Sequence, residues 1–195
     1  MAPEQVNLTI SALTLVVLLA AAVAAIIQLR HLRASSESAT FSTAFSLWYS
    51  PEVQRGLRFI QHEFATKMED PVFRRELDTA GAADHLAHPE LNVLDYFDNV
   101  GIYVVLGTVR EAFILHPAGQ LIANLWETLS PVIAIVRRKR GKQMYISFEY
   151  LAARARKWIE RYPDGYAPRG FVRLPNPDIW RQADMGAGML TGAQG

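Results

Sequence analysis

From Gln5 to Leu29 the chain carries no charged residue. The run opens Val6-Asn7-Leu8-Thr9-Ile10, passes through Val16-Val17-Leu18-Leu19-Ala20 and closes Ile26-Ile27-Gln28-Leu29. Its twenty-five residues, wound as an α-helix at roughly 1.5 Å each, reach about 37 Å, against a hydrocarbon core of about 30 Å. The run is therefore long enough to cross a bilayer with some tilt. A cleaved secretory signal would carry a basic start and a shorter apolar core. Here the chain starts Met1-Ala2-Pro3-Glu4, and Ile26 and Ile27 continue the apolar run past the small-residue pattern Ala22-Val23-Ala24. The expectation is an uncleaved anchor.

The flanks set its orientation. Glu4 stands on one side, and Arg30, His31 and Arg33 stand on the other. Positive residues stay cytoplasmic, so the N-terminus is expected outside and the rest of the chain in the cytoplasm. This corresponds to a single-pass membrane protein. Ala20/Ala24 and Ala21/Ala25 are spaced as small residues are where helices approach closely, but alanine pairs are a weaker signal than paired glycines, and the favoured reading is that they face lipid. The absence of cysteine agrees with a cytoplasmic domain without demanding one.

Four segments are expected: an anchor over 1–33, a polar juxtamembrane connector over 34–45, a helical domain over 46–162 and a Pro/Gly-rich tail over 163–195. The connector, Ala34-Ser35-Ser36-Glu37-Ser38 onward, also reads as a continuation of the anchor helix. In the domain, helix signals are dense. Ser50-Pro51-Glu52 sets a capping hydroxyl, a first-turn proline and an early acid in order, and Asp70-Pro71 repeats the signal. Pro89-Glu90 starts another helix, and Gly107 is placed to end it. Thr108 to Glu111 fits a capping box. Pro117 is expected to break the helix that follows and Pro131 to kink or restart it; Gly141 ends it. Tyr145 to Ile159 forms the last helix. Trp126, Leu129, Phe97, Phe148 and Leu151 are the expected core. Hairpin signals are missing, so the fold class is all-α: one N-terminal transmembrane helix, a cytoplasmic helical bundle and an irregular C-terminal tail.

Three blocks between Leu91 and Trp158 carry a resemblance. They are Tyr96-Phe97-Asp98-Asn99-Val100-Gly101-Ile102 with Gly107-Thr108-Val109, then Trp126-Glu127-Thr128-Leu129-Ser130-Pro131-Val132-Ile133 with Arg137, then Phe148-Glu149-Tyr150-Leu151 with Arg154 and Trp158. In order and spacing they resemble a bacterial family of membrane-anchored helical proteins catalogued only as a domain of unknown function. The likeness covers Leu47 to Arg161, with Ser50-Pro51-Glu52 fitting its upstream part. Arg110 departs from it, standing where the family tends to carry an acid. The resemblance implies a helical domain behind one membrane helix, and it implies no activity.

The net charge of +1 hides an asymmetry. Glu52 to Glu111 holds 11 acids and 6 bases, and Arg137 to Arg181 holds 12 bases and 4 acids. Such separation suits a membrane surface or an acidic partner. The sharpest local feature is Arg137, Arg138, Lys139 and Arg140 with Lys142. The run either complements the dipole at a helix C-terminus or grips lipid phosphates or an acidic protein. Nucleic acid is disfavoured, because no aromatic residues are interleaved. In the tail, Phe171 and Trp180 are the natural anchors, for a partner or for the chain's own domain.

Catalytic signatures are missing. No phosphate-binding glycine loop, dinucleotide fingerprint, zinc-protease or haem motif occurs. His85 and His88 lie near Asp84, Glu90, Asp95 and Asp98, but a proline-bounded turn is an ordinary place for polar residues, and no metal, cofactor or catalytic residue is expected. Glu149 and Arg137, with Asp98 as another partner, are read as an ion pair holding helix register. The expectation is a non-enzymatic, membrane-anchored interaction protein, an accessory subunit of a larger membrane assembly. Its partners would be membrane lipid and a protein met through the transmembrane helix or the tail. The alternative is a membrane-tethered enzyme or ligand sensor with a pocket inside the bundle.

Overall fold

The computed structural model describes residues 3–181; within the first helix the side chains of residues 3–12, 33, 34, 36–38, 40, 41, 43 and 44 stand outside that description. The featureless stretch from Met185 to Gly195 and the side chain of Arg33 therefore lie outside the described residues. Two units are distinguished, Met1–Asp164 and Gly165–Gly195.

The first unit is built from seven helices, and no strand occurs among the described residues. Helix α1 runs unbroken from Pro3 to Trp48, 46 residues and about 69 Å. Within it Leu13–Leu32 is long and apolar enough to cross a membrane, and every side chain of that stretch is exposed. The polar segment after it is helical too, so the stretch read as a connector continues the same helix. Trp48 ends α1 against the domain, its ring 5.5 Å from Tyr96 and 5.7 Å from Phe97.

Helices α2 (Pro51–His62), α3 (Phe64–Glu69) and α4 (Pro71–Leu77) follow in short steps. The Ser50 hydroxyl accepts from the Val53 amide at 3.3 Å, and Asp70 accepts from Val72 at 2.7 Å. Each satisfies a first-turn donor beside a first-position proline. Helices α5 (Glu90–Val105), α6 (Glu111–Arg140) and α7 (Ile146–Arg161) form the body. α5 packs on α7 and α2, while α6 packs on α7 and α4. α5 ends in a Schellman turn, as the glycine led us to expect. Gly107 has φ +66°, its amide bonds Val104 O, and the Thr108 amide bonds Tyr103 O.

Two expectations about α6 are corrected. Thr108 and Glu111 do not form a capping box: α6 begins at Glu111 with Arg110 at its cap position, and the Glu111 carboxylate is held by Arg154 through two bonds of 2.6 Å. Neither proline interrupts the helix, which is continuous over 30 residues. At Pro131 the missing amide leaves Glu127 O without its ladder donor, and the Ser130 hydroxyl donates to that oxygen at 3.3 Å. α6 also passes the length and hydropathy test for a membrane span, but half of it is buried within the domain. Leu115, Ile122, Leu129, Ile133 and Val136 are among its buried residues, which makes it the central core helix.

The second unit, described from Gly165 to Arg181, holds almost no regular structure. Gly165 and Gly170 take positive φ, and the Phe171 amide closes a turn on Pro168 O.

Candidate functional site

The three family-like blocks meet at one packing node. Phe148, on the first turn of α7, is fully buried between Phe97 of α5 and Trp126 of α6, with ring centroids at 5.6 and 5.4 Å. Asp98 accepts from the Phe148 amide at 2.9 Å and so caps α7 from α5. Gly101 lies on the Ser147 carbonyl so closely that a Cβ there would collide with backbone. Arg137 bonds Glu149 at 2.7 Å and Met144 O at 2.9 Å. Leu129, Leu151 and Phe97 are buried as expected, while Trp126 is only half-buried. These residues build the fold.

Beside this node lies a cleft of about 170 Å³. α1 supplies Phe45 and Trp48, α5 supplies Tyr96 and Phe97, and α6 supplies Phe113 and Leu121. Four-residue steps, Tyr96 to Val100 and Phe113 to Pro117 to Leu121, put these side chains on one face of each helix. The lining contains one phenol and no carboxylate, imidazole or cation. Burial pushes the Tyr96 hydroxyl up to about 12, so it stays neutral. The Arg110 guanidinium sits 4.6 Å over the Phe113 ring. Sequence reading missed the cleft, because its walls come from three separated segments.

A polar cluster joins the loop before α5 to the loop before α7. Tyr145 donates to Asp95 at 3.1 Å, His85 lies 3.0 Å from Asn92 Oδ1, and His85 Nε2 lies 3.6 Å from Asp95. Burial raises the Asp95 carboxyl, opposed by His85 and the Tyr145 bond. Burial likewise raises the Tyr145 phenol, and Asp95 raises it further. Tyr145 is the one described non-glycine residue with positive φ, at 57°. Its hydroxyl bond to Asp95 holds that unfavourable backbone in place.

His88 takes a different place from His85. Its ring is buried, 4.3 Å from Phe73, with Nδ1 3.0 Å from Glu90 and Nε2 3.1 Å from Glu76. Among the described residues no three His, Asp or Glu side chains are gathered to hold a metal.

The basic run divides in two. Arg137 and Arg140 turn inward: Arg137 pairs with Glu149, and Arg140 donates to Thr79 O at 3.3 Å and to Gly81 O. Arg138, Lys139 and Lys142 are exposed. Two of the five cations thus tie loops to α6, and three stay exposed. In the tail, Phe171 is 60% and Trp180 67% exposed.

A family model described as Domain of unknown function (DUF4760) matches residues 15–158. The chain belongs to this family. The DUF4760 match takes in most of the apolar stretch of α1, more than the sequence blocks alone covered, and stops at Trp158, before the tail. No curated protein and no solved structure matches the chain.

Proposed function

We propose that this chain is a non-enzymatic, membrane-anchored interaction protein of the bacterial inner membrane, an accessory subunit of a larger assembly. The N-terminus lies outside, Leu13–Leu32 crosses the bilayer, and the domain stands in the cytoplasm, a reading supported by the Arg30 and Arg33 flank. Sixteen further residues of continuous helix carry the domain about 24 Å past the apolar stretch. The observation supporting this reading is the cleft at the foot of α1. It is apolar and aromatic, and no charged groups converge in it, whereas catalytic pockets bring titratable groups together. Arg138, Lys139 and Lys142 form the face for anionic lipid or an acidic partner, and Phe171 and Trp180 are the tail's contacts.

A second reading, a sensor of a small apolar ligand, draws on the same cleft, since 170 Å³ suits only a small molecule or one side chain. Purification of the full chain in mild detergent, followed by mass spectrometry, separates the two. A stoichiometric protein partner supports the interaction reading. A lone chain carrying a bound apolar small molecule would replace it with the sensor.

A further inference from the structure

The loop from Asp78 to Pro89 is closed at both ends by charged side chains. At one end Arg140 of α6 holds Thr79 O and Gly81 O. At the other, His88 bridges Glu76 of α4 and Glu90 of α5. Burial is uneven across the bridge: His88 is 1% exposed and Glu90 0%, while the Glu76 side chain is 53% exposed. Glu90 Oε2 is buried without a hydrogen-bond partner, so His88 is the group that compensates this carboxylate.

The geometry sets a proton requirement. Ionised carboxylates only accept hydrogen bonds, and a neutral imidazole donates from one nitrogen alone. Both nitrogens of His88 face carboxylate oxygens, so both contacts are made together only by the imidazolium. After loss of one proton, the nitrogen that keeps its hydrogen stays with the buried Glu90, which water does not reach. Nε2 then presents a lone pair to Glu76, and Glu76 turns to solvent. We propose that His88 is a proton-operated latch: protonated, it holds α4 and the 78–89 loop against α5 and α6; deprotonated, it lets them open.

The surroundings agree. From α4 the charged group facing the ring is Glu76, and from α5 it is Glu90. Within the loop the Asp84 carboxylate turns to the Leu86 amide, while its backbone oxygen takes the His88 amide. Phe73 covers the ring face, with Phe59 of α2 behind it. Burial lowers the imidazole's affinity for its proton, but the bonds and charges of Glu90 and then Glu76 outweigh it, and the net direction is upward. The latch is therefore closed below the ordinary histidine value and opens as pH rises through the higher folded value. Opening also releases Arg140 from Thr79 and Gly81, adding a cation to the exposed basic face.

Hydrogen exchange of the full chain in detergent, read by mass spectrometry over residues 78–89 at about pH 6 and about pH 9, tests this, the range spanning the ordinary histidine value. After correction for intrinsic exchange, protection of the loop should fall about tenfold per pH unit once His88 titrates, while α7 stays protected. In Glu76→Gln the amide donates to the unprotonated Nε2, so the bridge survives at high pH and the fall should vanish. Loop protection equal at both pH values in the unaltered chain, or an undiminished fall in Glu76→Gln, would overturn the latch.

Discussion

The Asp98 carboxylate, on the third turn of α5, accepts the Phe148 amide at the start of α7. That bond does for α7 what its own cap residue does not, because Tyr145 at the cap position makes no side-chain cap bond. Asp98→Ala leaves a first-turn amide without its acceptor and should cost about 1–2 kcal/mol in urea unfolding. Asp98→Asn, which keeps a carbonyl oxygen, should recover most of it.

Two glycines distinguish close approach from mere flexibility. At Gly101 a Cβ would strike the Ser147 backbone, and at Gly119 it would meet only Trp158 Cδ1, at 3.6 Å. Gly101→Ala should therefore separate α5 from α7 and destabilise by about 1–3 kcal/mol or more. Gly119→Ala should be neutral or stabilise by up to about 1 kcal/mol, the helical advantage of alanine. Denaturant midpoints of the two variants give the comparison.

Phe148→Ala removes a fully buried ring and should cost about 3–5 kcal/mol. Trp126→Ala should cost less, since Trp126 is only half-buried. Equal losses would show that the indole supports more than its contact with Phe148.

The Glu111–Arg154 pair predicts an acid limb. Its bonds to Arg154 are the main cause holding the Glu111 carboxyl below its ordinary value. A depressed carboxyl contributes stability above its unfolded pKa and loses it as pH falls through the folded one. Thermal melts should decline below about pH 4.5, and the decline should be shallower in Glu111→Gln. The pair is about one-third exposed, so the difference should be modest.

Much of this architecture is legible in the chain. Ser50-Pro51, Asp70-Pro71 and Gly107 mark helix ends because their chemistry is local: a hydroxyl or carboxylate reaches an amide two or three residues on, and glycine tolerates positive φ. The capping box at Thr108 and Glu111 fails because Arg154, 43 residues away, competes for the same carboxylate. Pro131 does not restart the helix, because Ser130 replaces the lost donor. The family-like blocks were visible as sequence, but not as one node around Phe148. The cleft had no sequence signal, and the bridge showed only as His88 lying near Glu90, since Glu76 is brought to it by tertiary packing. The basic run was legible as charge; only contacts with Thr79, Gly81 and Glu149 divide it.

That division sharpens a test of the lipid face. Replacing Arg138, Lys139 and Lys142 with Gln leaves the inward Arg137 and Arg140 in place. At about 1 kcal/mol per cation near an anionic surface, binding of an anchor-free fragment beginning at Phe45 to anionic liposomes should weaken about a hundredfold. The loss should shrink as salt rises. Unchanged binding would leave Phe171 and Trp180 as the docking elements.

The interaction reading is tested most directly inside the cell. A photo-crosslinking residue placed at Trp180, and separately at Phe113 on the cleft wall, reports what touches each position in the native membrane. At least one position should capture a distinct protein band of stoichiometric yield, with a control at the exposed Leu86 capturing none. Crosslinks confined to lipid or a small molecule at Phe113, with none at Trp180, would contradict the interaction reading.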